Sequence, residues 1–111
     1  MADFYWKRHD TAPQIQVQLL DSKGNPVDVT GASVNFIMIT TGGTGSPKVN
    51  AGATVIDAPN GIVGYTPIGA NTDTAGAYQA EWQVTFLSGN KETFPNPGYD
   101  TVTITADLDN A

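Results

Sequence analysis

Apolar and polar residues alternate along much of this chain with a period of two, the spacing of a β-strand with one buried face. The longest such run lies in residues 72–86, TDTAGAYQAEWQVTF. Tyr78, Ala80, Trp82, Val84 and Phe86 fall on one side, Gln79, Glu81, Gln83 and Thr85 on the other. Four of the five inward side chains are large. Burying each is worth about 1.5–3 kcal/mol, so the run predicts a central core strand. Residues 14–20 repeat the pattern, with Ile15, Val17 and Leu19 inward and Gln14, Gln16 and Gln18 outward. Residues 33–40 set Val34, Phe36 and Met38 on one face and Asn35, Ile37 and Ile39 on the other. A strand that is apolar on much of both faces is either central or covered, for instance by a neighbouring subunit. Residues 99–106 alternate Val102, Ile104 and Ala106 inward with Thr101, Thr103 and Thr105 outward.

Shorter pieces fill the gaps between these runs. Val27 and Val29 form a brief return, residues 49–57 one strand centred on Thr54-Val55-Ile56, and residues 62–65 and 91–94 two more. Turn residues separate them: DSKGNP at 21–26, PNG at 59–61, SGN at 88–90 and PNPG at 95–98, each rich in residues that fix or free φ. Residues 41–47, TGGTGSP, and 66–76 read as loops. No stretch of useful length has helical periodicity. About seven or eight short antiparallel strands with regular turn signals predict an all-β fold, an immunoglobulin-like β-sandwich, with a small closed barrel as the alternative. Gly76 and Tyr78 ahead of the long strand resemble the tyrosine corner of such sandwiches. Ala80 stands where an antibody domain has its second cysteine, so the likeness is one of architecture.

The opening segment, residues 1–13, differs from the rest of the chain. Phe4, Tyr5 and Trp6 are consecutive and lead into Lys7, Arg8, His9 and Asp10. Adjacent residues of a strand point to opposite faces, so the three aromatics cannot share one side. Either this is a first strand with Trp6 on the core and Tyr5 partly exposed, or it is an arm that docks on a partner subunit. Aromatics beside arginine are the composition of interface anchors. Phe4, Tyr5, Trp6 and Arg8, with Ile37 and Ile39 of the two-faced strand, are therefore the candidate partner-interface residues. The sandwich domain is expected to span residues 14–106, and the acidic tail, residues 107–111, to fray.

Composition narrows the function. The 111 residues suffice for one domain and one core. Without cysteine, neither disulfides nor thiolate metal sites are available. A net charge of −6 and a pI near 4.2 argue against nucleic acid as a partner. The longest apolar run covers residues 36–39, too short to span a membrane. The N-terminus, if it is the native start, lacks the apolar stretch and small-residue cleavage site of a signal peptide, so the expectation is synthesis in the cytoplasm without export by the general secretory route.

Catalytic groups are sparse. His9 is the only histidine, with no serine or cysteine placed for a triad, and reads as a surface or interface side chain. Asp21-Ser22-Lys23-Gly24-Asn25 lacks the acidic spacing of a calcium loop and reads as a turn. Asp107 and Asp109 belong to the solvated tail. Glu81 and Glu92 can approach across the hairpin at 88–90, but glycoside hydrolysis needs two carboxylates at a defined separation in a cleft. The expectation is a protein that is not an enzyme, with no cofactor and no metal site.

Several segments together resemble the N-terminal domain of the phage baseplate upper protein family of tailed bacteriophages and prophages. They are residues 7–13, KRHDTAP; 17–36, VQLLDSKGNPVDVTGASVNF; 60–65, NGIVGY; 73–86, DTAGAYQAEWQVTF; and 92–95, ETFP. They occur in the family's order and cover most of the chain. The resemblance implies a virion structural domain, made in the host cytoplasm and present in several copies, that attaches to other tail or baseplate subunits. Longer family members continue into helical or receptor-binding regions, whereas this chain stops after the first domain. A stand-alone copy is also compatible with a neck protein or a capsid decoration protein. From a different class, an immunoglobulin-like carbohydrate-binding module, for a host-surface glycan, would use Tyr5, Trp6 and Tyr99 as stacking platforms.

Overall fold

A computed structural model describes residues 2–43, 45–95 and 98–108. Among these residues nine strands form two sheets: β1 (Asp3–Lys7), β2 (Ile15–Gln18), β3 (Ser33–Thr40), β4 (Val49–Gly52), β5 (Thr54–Asp57), β6 (Ile62–Tyr65), β7 (Gly76–Thr85), β8 (Lys91–Phe94) and β9 (Asp100–Thr105). The larger sheet runs β1-β9-β7-β3-β4, with β8 also paired to β7; the smaller runs β2-β6-β5. The two face each other across one core, giving the all-β, sandwich-like arrangement that the alternation predicts.

The central strand is where the sequence places it. β7 pairs with β3 on one side, Phe36 opposite Trp82. On its other side it pairs first with β9 and then with β8, where Phe94 lies opposite Trp82. Trp82 is thus wedged between Phe36 and Phe94 and has no exposed surface. Phe36 stacks on Tyr65 of the smaller sheet, centroids 4.6 Å apart, and tilts against Trp82 at 4.8 Å. Such aromatic pairs add about 0.5–1.5 kcal/mol beyond the area they bury, and here they join the two sheets. The Tyr78 hydroxyl donates to the Thr74 carbonyl at 2.7 Å, the upstream backbone bond of a tyrosine corner.

Four expectations need correction. The strands are not all antiparallel, because β1 pairs in parallel with β9, Trp6 beside Ile104. A first and a last strand can adjoin in parallel because the whole domain serves as their crossover. Residues 49–57 are two strands: β4 belongs to the larger sheet and β5 to the smaller, and the chain changes sheet at Ala53, whose N–H donates to the Val34 carbonyl. Val27 and Val29 lie outside any strand; the pairing there is the single Leu20–Pro26 bridge, although Val29 is buried. Ala106 is exposed beyond the end of β9.

The loop at 66–76 is more structured than its composition suggests. It contains a 3₁₀ turn, Gly69–Asn71, in which the side-chain Oδ1 of the buried Asn71 accepts from the Tyr65 hydroxyl (2.7 Å) and the Ile68 N–H (2.9 Å). Thr72, fully buried, donates its hydroxyl to the Asp10 carbonyl at 2.8 Å, and its own carbonyl accepts from the His9 N–H at 3.0 Å. The loop is thereby tied to the end of β1. Gly61 meets a steric demand: its φ is +67°, and a Cβ there would lie 2.4 Å from the Val27 carbonyl oxygen, which no side chain tolerates.

Candidate functional site

The opening segment is the strand β1. Phe4 and Trp6 point inward, opposite Val102 and Ile104, while Asp3, Tyr5 and Lys7 point out. Trp6 is 2% exposed, and its indole Nε1–H donates to the Pro13 carbonyl at 3.0 Å. It is committed to the core, so neither a partner nor a sugar ring can reach it in the folded domain. Phe4, half-buried, packs against the same core. Tyr5 is 68% exposed and is the aromatic of the three that faces solvent.

The remaining sequence candidates divide between two places. Arg8 is partly buried at the end of β1, its guanidinium 3.1 Å from Asp107, and His9 Nδ1 lies 4.0 Å from the other oxygen of that carboxylate. Asp107 therefore fastens the end of the chain's last strand to the end of its first, where the sequence predicts a fraying tail; residues 109–111 lie outside the described residues. Ile37 and Ile39 sit on the outer face of the larger sheet, opposite Glu81 and Gln79, and are half-buried. Tyr5 shares that face three strands away, with Gln79 and Glu81 of β7 and Thr101 and Thr103 of β9 between. The outer face is mainly uncharged, built of Thr, Gln and Asn with Ile37, Ile39 and Tyr5 set into it. It brings three of the six candidates onto one surface and leaves Phe4, Trp6 and Arg8 elsewhere.

Alternation of sequence alone does not single out Asp100. It has the parity of Val102 and Ile104, so a carboxylate occupies an inward position of β9, and it is 4% exposed. Its Oδ2 accepts from Trp82 Nε1 at 2.9 Å and its Oδ1 from the Ala2 N–H at 2.9 Å. A charged group so placed costs free energy unless it is paired or hydrogen-bonded. Both of these donors are neutral. The parity of Asp100 is the signal by which the sequence could have revealed it.

Asp100 lies in the wall of a cleft of about 480 Å³ between the two sheets. Trp82 and Phe94 lie beneath its floor, sealed from solvent, and residues 16–20, along β2, form one lip, with Val17, Leu20 and Pro95 its accessible apolar side chains. A second, more open depression of about 470 Å³ brings together Glu81, Glu92, Lys91 and Tyr99. Among the described residues no group of three or more His, Cys, Asp or Glu could hold a metal ion. The Asp21 carboxylate accepts from the Lys23 and Asn25 N–H groups, both at 2.9 Å, which closes the turn at 21–26.

Two exposed carboxylates have lowered pKa values. Asp73 is held below its ordinary 3.8 chiefly by the hydrogen bond from Lys48 Nζ (2.6 Å), with Thr74 adding to it. Asp28 is lowered by hydrogen bonds from the Thr30 hydroxyl and N–H. Burial raises the Tyr65 hydroxyl, whose proton is engaged with Asn71. None of these groups lines the cleft.

No protein-family model matches the chain, and no curated protein sequence matches it. Solved structures do share its fold. The N-terminal domain of phage TP901-1 ORF48 superposes with a TM-score of 0.61 at 15% identity, over 96% of this chain and 84% of that one. CopC from Methylosinus trichosporium OB3b superposes with a TM-score of 0.50 at 15% identity, over 96% of this chain and 86% of that one. The sandwich is therefore one that a phage protein domain and CopC both use, and a shared sandwich leaves function to the surfaces.

Proposed function

We propose that this chain is a structural domain of a tailed-phage virion, without enzymatic activity, that attaches to neighbouring tail or baseplate subunits through protein–protein contacts. The observation that carries this reading is the fold shared with the N-terminal domain of a phage TP901-1 protein over 96% of the chain. The ordered segments resembling the baseplate upper protein family point the same way. Two surfaces suit such a role: the outer face with Tyr5, Ile37 and Ile39, whose charges are few, and the cleft beside β2. Apolar side chains within a face poor in charge are what interface centres are made of. Among the described residues no helix is long and apolar enough to cross a membrane.

The test is physical fractionation. Virions produced from the genome that encodes this chain are split into heads and tails, and each fraction is analysed by mass spectrometry. The chain is expected in the tail fraction at a fixed ratio to the other tail proteins. Recovery with heads alone would favour a decoration protein, and absence from both fractions would overturn a virion role.

A further inference from the structure

The strands at the sheet edges are not equally protected. Exposed edges offer unpaired N–H and C=O groups to any passing strand, and proteins blunt them with charges, prolines or bulges. β1 carries Asp3 and Lys7, and β8 carries Lys91 and Glu92. β5 has a register shift against β6 and ends on Asp57, and β4 is preceded by Lys48 and closes on Gly52. β2, Ile-Gln-Val-Gln, has no such device within it. It is the edge of the smaller sheet, paired to β6 alone.

The groups that β2 presents can be named. The Leu19 N–H donates to the Gly61 carbonyl at 2.8 Å, continuing the β2–β6 register of Val17 with Val63. Backbone groups alternate in direction along an antiparallel strand, so Ile15 and Val17 also turn theirs toward β6, and Gln16 and Gln18 turn theirs away. Those groups border the cleft that holds Trp82, Phe94 and Asp100. An open strand edge, the accessible apolar side chains of Val17, Leu20 and Pro95, and a nearly buried carboxylate thus share one groove.

We infer that this groove takes an extended segment of a partner protein, added as a fourth strand beside β2, with a Lys or Arg side chain reaching Asp100. Backbone hydrogen bonds hold the segment, and Val17, Leu20 and Pro95 meet its alternate side chains, as in other cases of strand addition. Charge chooses the residue. Among the described residues the only charged groups lining the groove are Asp21 and Asp100, on a chain of net charge −6. The two carboxylate oxygens of Asp100 each accept one N–H, leaving acceptor capacity for a cationic donor. At about 3.3 Å per residue, residues 16–20 match a segment of roughly five residues. The groove has this capacity whether or not the chain is part of a virion, so failure here leaves the proposed function standing.

The test is selection of a random heptapeptide display library on the purified domain, followed by amide exchange with the best synthetic peptide. Enriched sequences should alternate apolar residues around one Lys or Arg, and binding should slow exchange at Gln16 and Gln18 by at least tenfold. Asp100→Asn should weaken the peptide about tenfold, with the amide spectrum showing that the variant is folded, whereas Leu87→Ser, at an exposed side chain away from the cleft, should leave affinity unchanged. No enrichment, enrichment of acidic peptides, or binding without protection of Gln16 and Gln18 would overturn the inference. Protection that instead rises with protein concentration in the absence of peptide, alongside a dimer in sedimentation, would assign the groove to a second copy and also refute it.

Discussion

β1 and β2 are consecutive strands of similar pattern and opposite fate. Each alternates apolar and polar residues, and each sends its apolar side chains into the same core. β1 gains a parallel partner in β9 and is locked at its far end by Arg8 and Asp107. Its tryptophan is nearly sealed off, and its outward residues include two charges. β2 has β6 on one side and the cleft on the other, and its Val17 is only half-buried. The difference shows that a strand's role follows from what lies beside its backbone as much as from what its side chains face. The aromatic-rich segment, which looks like an interface by composition, is spent on stability. The plain Ile-Gln-Val-Gln segment keeps hydrogen-bonding capacity for something else.

Truncating a core side chain in each strand separates the two roles. Trp6→Ala removes a nearly buried indole and should destabilise the domain by about 3–5 kcal/mol in urea unfolding. Val17→Ala should cost only about 1 kcal/mol, since its removed methyl groups are half-buried. Equal losses would show that β2 is as sealed as β1.

Asp100 gives the next largest effect. Asp100→Ala strands the Trp82 indole N–H and the Ala2 N–H without acceptors and should cost about 1–3 kcal/mol. Asp100→Asn keeps one carbonyl acceptor and should cost less. A stabilised alanine variant would mean that the carboxylate is held at a net cost that its two hydrogen bonds do not offset.

The smallest effect lies at the surface. The Asp73 carboxyl titrates below 3.8 because Lys48 donates to it. A pKa lowered in the folded state contributes stability above the unfolded value, lost as pH falls through the folded one. Lys48→Gln should therefore move the Asp73 titration up toward 3.8, as followed by NMR, and slightly lower stability above about pH 4, a deficit that disappears as the pH falls further. An unmoved titration would show that the Lys48 contact is not populated in solution.

Much of the fold is legible in the sequence because burial imposes a period of two on any half-buried strand. β7, β3 and β9 can be drawn almost residue by residue, since each carries two or more large apolar side chains of one parity. The boundary between β4 and β5 is not legible. Alternation reports which face of a strand is buried and carries no label for the sheet to which the strand belongs. The outward Ile37 and Ile39 are legible as an anomaly, and both lie on the outer face of the larger sheet. The cleft is legible only through the parity of Asp100, a single inward carboxylate in a run otherwise read for its valine and isoleucine.

From sequence alone came the all-β class, the central strand around Trp82, the turns, and the lack of thiol chemistry. These follow from side-chain polarity and backbone freedom, which are local. Only the tertiary structure decided that Trp6 is core, that β1 lies parallel to β9, and that β2 is left with an open edge beside a buried carboxylate. Those outcomes depend on which distant segments share a neighbour, and pairing between residues nearly a hundred positions apart leaves no periodic trace in either partner.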